Sequence, residues 1–141
     1  MSIWFGLTPT PAQIQLIFKG FMPEYLGVEI TEVGDDYLKA RMPVDDRTRQ
    51  PYGLLHGGAS VALAETLGSI GAAFAIDRSQ FSCVGLEINA NHVRGVREGF
   101  VTGTSRPIHI GKTTHVWEIR ITDEQDKLVC ISRITVAILK N

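Results

Sequence analysis

The stretch that decides the fold of this chain is HGGASVALAETLGSIGAAFAI, residues 56–76. Glu65 is its only charged residue, and every other position after His56 is apolar, small or a hydroxyl. This composition predicts a helix enclosed on nearly all sides, because a surface helix carries a polar outer face. A membrane span is the alternative, but Glu65 and the Gly and Ser interruptions weaken it. A carboxylate in such a helix requires a partner or a chemical task.

The segments on both sides of this helix predict an α+β fold. Thr10 and Pro11 begin a short helix, with Thr10 as N-cap and Ile14, Ile17 and Phe18 on one face. Alternating patterns then predict a hairpin, and further strands follow the long helix. The predicted strands are residues 27–33, 37–42, 83–93, 99–105, 113–122 and 127–139, with turns at 94–98, 107–112 and 123–126. We therefore expect one sheet wrapped around one central helix.

Length and composition favour a single domain over residues 1–141, with a helical extension at 1–26 and a core at 27–141. A formal charge of -1 gives no electrostatic reason to expect nucleic acid or an anionic membrane as partner. Cys83 and Cys130 are isolated, and no His pair has metal-ligand spacing, so neither a disulfide framework nor a metal site is expected. The N-terminus lacks the pattern of a secretory signal, which favours a cytoplasmic location.

The start of the long helix has the features of an oxyanion site. Residues 54–56, directly before Gly57, include no Ser, Thr, Asp or Asn that could cap the helix. Gly57 and Gly58 have no side chains to cover the first turn. Accessible amides at the positive end of a helix can stabilise an oxyanion, although paired glycines also serve tight helix packing. The expected position of Glu65 is about 12 Å further along the axis, too far to reach the same substrate atom. If both groups act together, Glu65 must come from a second, antiparallel copy of the helix. A structural ion pair for Glu65 is the alternative.

Other motifs are weaker. Lys112 and Thr113 resemble the end of a P-loop, but Arg106 stands where the first glycine belongs. Residues 103–107 resemble a nucleophile elbow, but Pro107 replaces the second glycine. Basic residues concentrate in the predicted turns, where they form either a phosphate site or ordinary solvated loop ends. These residues are Arg94, Arg97, Arg106 and Lys112.

Two segments, QPYGLLHGGASVALAETLGS at 50–69 and VGLEINANHVR at 84–94, resemble the hotdog-fold acyl-CoA thioesterases. The resemblance covers roughly residues 27–139. It is strongest to the branch of aryl-CoA thioesterases that includes 4-hydroxybenzoyl-CoA and 1,4-dihydroxy-2-naphthoyl-CoA hydrolases, the latter acting in menaquinone synthesis. It implies hydrolysis of an aryl or bulky acyl-CoA without metal or other cofactor, coenzyme A being part of the substrate. It also implies a homodimer, with dimers pairing further into tetramers.

The resemblance also implies roles for individual residues. Glu65 takes the place of the catalytic carboxylate, as nucleophile or general base, and Gly57 that of the amide donor to the thioester oxygen. Gln50 and His56 position the thioester or water, and Ser69 lines the same pocket. The contacts to coenzyme A fall on Val84, Asn91, His92, Val93, Arg94, Ile108, His109, Ile110, Gly111, Lys112 and Thr113. Two other interpretations stay open: a hotdog dehydratase that uses Glu65 and His56, and a non-catalytic acyl-CoA binder.

Overall fold

The computed structural model describes all 141 residues. A six-stranded antiparallel sheet, with strand order β1-β2-β4-β5-β6-β3, lies against one helix of 18 residues. This arrangement confirms the predicted α+β class and the hotdog plan of a sheet around a central helix. The elements are α1 (Pro11–Ile17), α2 (Met22–Tyr25), β1 (Glu29–Val33), β2 (Leu38–Pro43), α3 (Gly57–Phe74), β3 (Phe81–His92), β4 (Phe100–Ile110), β5 (Thr114–Thr122) and β6 (Leu128–Lys140).

The central helix α3 packs unusually close to the sheet. At Gly71 an added Cβ would lie 2.7 Å from the Trp117 ring, which is fully buried. Trp117 cannot retreat, because Trp4 stacks on it with ring centroids 6.4 Å apart. The small residues of α3 are therefore required for the helix and the sheet to share one core.

The prediction that α3 is enclosed on nearly all sides is wrong for the single chain. One face is buried, and the face that carries Glu65 is open to solvent. The apolar composition alone does not distinguish a helix that its own chain covers on all sides from a helix that keeps one apolar face exposed. No helix, α3 included, is long and apolar enough to cross a membrane.

The N-terminal helix α1 is tied to both the core and the sheet. Thr10 and Gln13 form the two hydrogen bonds of a capping box, as expected for the predicted N-cap. Ile14 and Phe18 are buried in the same cluster as the sheet residues. The Gln15 side chain donates to the Val28 carbonyl at 3.0 Å and accepts from the Ile30 amide at 2.8 Å. These contacts fix α1 against β1.

The predicted turn at 107–112 is mostly strand, because β4 continues to Ile110. Pro107 pairs with Trp117 of β5, and the register shifts between Pro107 and His109. On its other side β4 pairs with β2 only as far as Ser105. Proline is tolerated in a strand where one side has no partner, and this is the position that Pro107 occupies. The true turn is the short connection from Gly111 to Thr113.

We expect Gly71→Ala to lower the free energy of unfolding. Alanine normally stabilises a helix interior by about 1 kcal/mol over glycine. Here the added methyl group would collide with Trp117, and overpacking of this kind costs about 1–3 kcal/mol. Urea unfolding of the variant and the unmodified chain measures the difference. The difference between the two effects is a net loss of up to about 2 kcal/mol. A variant about 1 kcal/mol more stable than the original would contradict the close packing of α3 on the sheet.

Candidate active site

The side chain of His56 caps the start of α3, so the prediction of an uncapped helix is wrong. The Gly58 amide donates to His56 Nδ1 at 2.7 Å, and the Ala59 and Ser60 amides donate to the His56 carbonyl at 3.0 and 3.2 Å. Because Nδ1 accepts a hydrogen bond, the proton of the neutral imidazole lies on Nε2. The Gly57 amide is left without an acceptor. The helix start therefore offers the Gly57 amide as an oxyanion donor, and the His56 Nε2–H group has no hydrogen-bond partner in the chain.

The Gly57 amide lies at a cavity of about 390 Å³, which we call the amide cleft. Gln50 enters it from the loop before α3, where its side-chain oxygen accepts from the Tyr52 amide. Both N–H bonds of the Gln50 amide group are thereby free to donate. The residues that line the amide cleft are Gln50, Leu54, Leu55, Gly57, Ser60, His92, Val93, Arg94, Gly95 and Val129.

Glu65 lies in a different cavity, also of about 390 Å³, which we call the carboxylate cleft. Ser69 is one helical turn further along α3 and lines the same cleft. The Glu65 carboxylate has no hydrogen-bond or ion-pair partner in the chain, and Gly85 leaves room for it, since a Cβ there would lie 3.3 Å from Oε1. A structural ion pair for Glu65 is therefore not found within the chain. The full lining is Ile17, Phe18, Phe21, Pro23, Glu65, Thr66, Ser69 and Ile70.

The predicted site residues thus fall into two groups that one chain does not bring together. Gln50, His92, Val93 and Arg94 join Gly57, whereas Ser69 joins Glu65, and His56 lines neither cleft. Asn91 is exposed on β3 beside the first group without lining its cleft. Both clefts open along α3, at positions eight residues apart.

The predicted contacts to coenzyme A are divided in the same way. Val84 pairs with Ala137, and Ala137 pairs with Thr114, so Val84 lies two strands, or about 10 Å, from the β4–β5 turn. His92 lies eight residues further along β3, roughly 25 Å away. The residues near the turn, at the Val84 end, are Ile108, His109, Ile110, Gly111, Lys112 and Thr113. One chain therefore presents two half-sites at opposite ends of β3.

The basic residues do not form the single phosphate cluster that was considered from the sequence. Arg94 follows the end of β3 beside the amide cleft, whereas Lys112 lies in the β4–β5 turn. Arg106 pairs with Asp36 at 2.9 Å and lies over the Tyr37 ring, 4.6 Å from its centroid. Within one chain, Arg94 and Lys112 lie too far apart to bind the same phosphate group.

Two histidines have contacts that separate their roles. The His92 imidazole lies against Gly57, where an added Cβ would be 2.8 Å from Nε2. His115 is buried and its Nδ1 accepts from the Trp117 indole at 3.4 Å. Burial lowers the pKa of His115, which keeps the imidazole neutral inside the core. His92 therefore belongs to the site, whereas His115 belongs to the packing around Trp117.

The N-terminal segment lines the carboxylate cleft, which no pattern in the sequence predicts. Ile17 and Phe18 of α1, followed by Phe21 and Pro23, form the wall opposite α3. The apolar face of α1 was visible in the sequence. No local pattern specifies which element that face meets, since the contact with α3 spans almost 50 residues of chain.

Comparison with known proteins identifies the family. Residues 52–130 match the model of the thioesterase superfamily. The chain is 53% identical over 121 residues to the 1,4-dihydroxy-2-naphthoyl-CoA hydrolase of Escherichia coli, covering 86% of this chain and 88% of the relative. It is 52% identical over 120 residues to the proofreading thioesterase EntH of Cronobacter turicensis, covering 85% and 87%. A crystal structure of a mutant of thioesterase PA1618 from Pseudomonas aeruginosa superposes with a TM-score of 0.97 at 48% identity, covering 99% and 100%.

The chain belongs to the thioesterase superfamily, and its fold is the hotdog fold of such enzymes. It is therefore a thioester hydrolase. One of the two names specifies an acyl group and the other specifies a proofreading task, so membership of the family leaves the acyl group open.

We expect His56→Ala to destabilise the protein relative to His56→Asn. Asparagine retains a side-chain acceptor for the Gly58 amide, whereas alanine leaves that amide uncapped, at a cost of about 1 kcal/mol. The pair of variants separates the capping role from any role of the imidazole. Thermal and urea unfolding of both variants measures the difference. Identical unfolding midpoints would show that the cap does not stabilise α3.

Proposed function

We propose that the protein hydrolyses an aryl or otherwise bulky acyl-CoA thioester, at a site built from two chains. The observation that carries this proposal is the separation of two unpaired groups on α3, the Gly57 amide and the Glu65 carboxylate. Each group lies in its own cleft, and the two groups are about 12 Å apart along the axis of α3. Two copies of α3 in antiparallel arrangement place the amide of one beside the carboxylate of the other.

The open edge of β3 supports this pairing. β3 has 12 residues and bonds only to β6, so its other edge presents free backbone groups. Val84 and Leu86 on this strand are 48% and 61% exposed. Exposed apolar side chains on a free sheet edge are typical of a surface that pairs with another chain. Pairing of β3 with β3 of a second chain runs antiparallel. It brings the Val84 end of one strand towards the His92 end of the other.

The same pairing assembles a binding surface for coenzyme A. Arg94 of one chain and Lys112 of the other approach each other, although they lie at opposite ends of a single chain. Two cations on one surface suit the phosphates of coenzyme A through charge-assisted hydrogen bonds. Arg106 is not part of this phosphate-binding surface, because it forms an ion pair with Asp36. We expect dimers to associate further into tetramers, as the resemblance to the aryl-CoA thioesterases implies.

In the reaction, the thioester oxygen accepts a hydrogen bond from the Gly57 amide, and the positive end of α3 stabilises the negative charge that develops there. Glu65 of the other chain either attacks the carbonyl carbon or removes a proton from an attacking water. By the first route an acyl-enzyme anhydride forms and water then hydrolyses it. By either route the C–S bond breaks and coenzyme A leaves as the thiolate, which then takes a proton from water. Gln50 and His56 donate hydrogen bonds that hold the thioester or the water, and no metal or redox cofactor takes part.

The aryl preference has two supports. The carboxylate cleft is lined by two phenylalanines and two isoleucines, with Glu65 as its only charge. One relative is named as the hydrolase of 1,4-dihydroxy-2-naphthoyl-CoA. Ser69 in the same cleft has a hydroxyl without a partner, which can bind a polar substituent on an aromatic ring or the attacking water.

We expect Glu65→Gln to reduce turnover by at least about 10²-fold, because loss of a catalytic base or nucleophile removes an interaction made in the transition state. Release of free thiol from benzoyl-CoA measures the rate. Formation of an enoyl product from a hydroxyacyl-CoA is followed in parallel, since a dehydratase would show that activity instead. Glu118→Gln, on the outer face of β5, is the matched control and should remain active. An active Glu65→Gln enzyme would exclude the proposed role.

Mixing two inactive variants tests whether the site is shared between chains. Chains with Gln50→Ala and chains with Glu65→Gln, unfolded together and refolded, form mixed dimers in which one site has both residues intact. Random pairing makes half of the dimers mixed, so about a quarter of the original sites, and of the activity, should return. Each variant refolded alone is the control. If the mixture stays as inactive as the separate variants, both residues act within one chain.

A further inference from the structure

The outer wall of the carboxylate cleft comes from the N-terminal segment. Glu65, Thr66, Ser69 and Ile70 of α3 form one side of the cleft, and Ile17, Phe18, Phe21 and Pro23 form the other. The Thr66 hydroxyl donates to the Ala62 carbonyl at 2.7 Å, so it has no proton to offer a ligand. Apart from Glu65 and Ser69, the cleft therefore presents only apolar surface and one hydrogen-bond acceptor.

Most of this wall is rigid. Phe18 is buried to all but 3% of its surface, and Ile14 beside it is fully buried. The Gln15 amide holds the same helix against β1 through Val28 and Ile30. A ligand in the cleft therefore meets a surface whose backbone is fixed by a capped helix, a buried face and two hydrogen bonds to the sheet.

Phe21 differs from the rest of the wall. It follows Gly20, whose positive φ of 82° turns the chain out of α1, and its ring is 66% exposed. An aromatic ring that is mostly in water beside an apolar cleft gains contact area when an apolar group enters the cleft. Tyr25, on α2 of the same segment, is equally exposed at 68% but does not line the cleft.

We propose that Phe21 determines which acyl groups the enzyme accepts, by packing against the acyl group opposite Ser69 of α3. This inference rests on the proposed function. Glu65 or its water must approach the thioester carbon to about 3–3.5 Å, and the acyl group attached to that carbon must then occupy the carboxylate cleft. Phe21 contacts the acyl group and not the reacting atoms, so it acts on specificity rather than on the chemical step.

The test compares kcat/KM for benzoyl-CoA and acetyl-CoA in the unmodified enzyme, in Phe21→Ala and in Tyr25→Ala, by thiol release. Phe21→Ala should lower the value for benzoyl-CoA by about tenfold or more and that for acetyl-CoA by less than about threefold, because only the larger acyl group reaches the ring. Tyr25→Ala should leave both values unchanged. Phe21→Leu should give an intermediate loss for benzoyl-CoA, since it retains part of the apolar surface.

Two results would overturn the inference. If Phe21→Ala changes kcat/KM for both esters by the same factor, Phe21 supports the fold or the dimer and does not select the acyl group. If Tyr25→Ala gives the same selective loss, the effect belongs to the whole segment. Absence of thiol release by the unmodified enzyme from every ester is a separate result, because it contradicts the proposed function itself.

Discussion

The contact between α3 and the sheet is the constraint on which the rest of the structure depends. Trp117 stacks on Trp4 and also lies against Gly71, so the helix can approach this ring only where it has no side chain. This contact fixes the rotation of α3 about its axis. The rotation in turn leaves Glu65 on the open face, away from the sheet. The exposed carboxylate is thus a consequence of how the opposite face of the same helix is packed.

The start and the middle of α3 have different chemical environments. At the start, the His56 side chain accepts a hydrogen bond from the Gly58 amide, and the Gly57 amide is left without an acceptor. Two turns later, Glu65 lies among apolar residues from the N-terminal segment. An isolated donor and an isolated carboxylate on one rigid helix cannot neutralise each other across about 12 Å. Each group is therefore free to interact with a substrate.

The long apolar helix, the hairpin and the later strands could be predicted from periodicity, and the resemblance to thioesterases located Glu65 and Gly57. Three features could not be predicted, for three physical reasons. Pro107 stays within β4 because the pairing of β4 with β2 stops at Ser105, which depends on the length of β2 in the folded sheet. His56 caps α3 although histidine is not a usual capping residue. Phe21 faces the cleft because Gly20 reverses the chain towards α3, a tertiary contact that carries no local pattern.

The Gln15 side chain has a consequence for how copies of this chain can associate. A sheet has two edges, and either can template another strand. Here the amide of Gln15 occupies the Val28 carbonyl and the Ile30 amide on the outer side of β1, so that edge is partly blocked by its own helix. Extension of the sheet is left to β3. In the proposed dimer, joining two chains through β3 uses this edge of both, so the sheet itself does not extend beyond two chains.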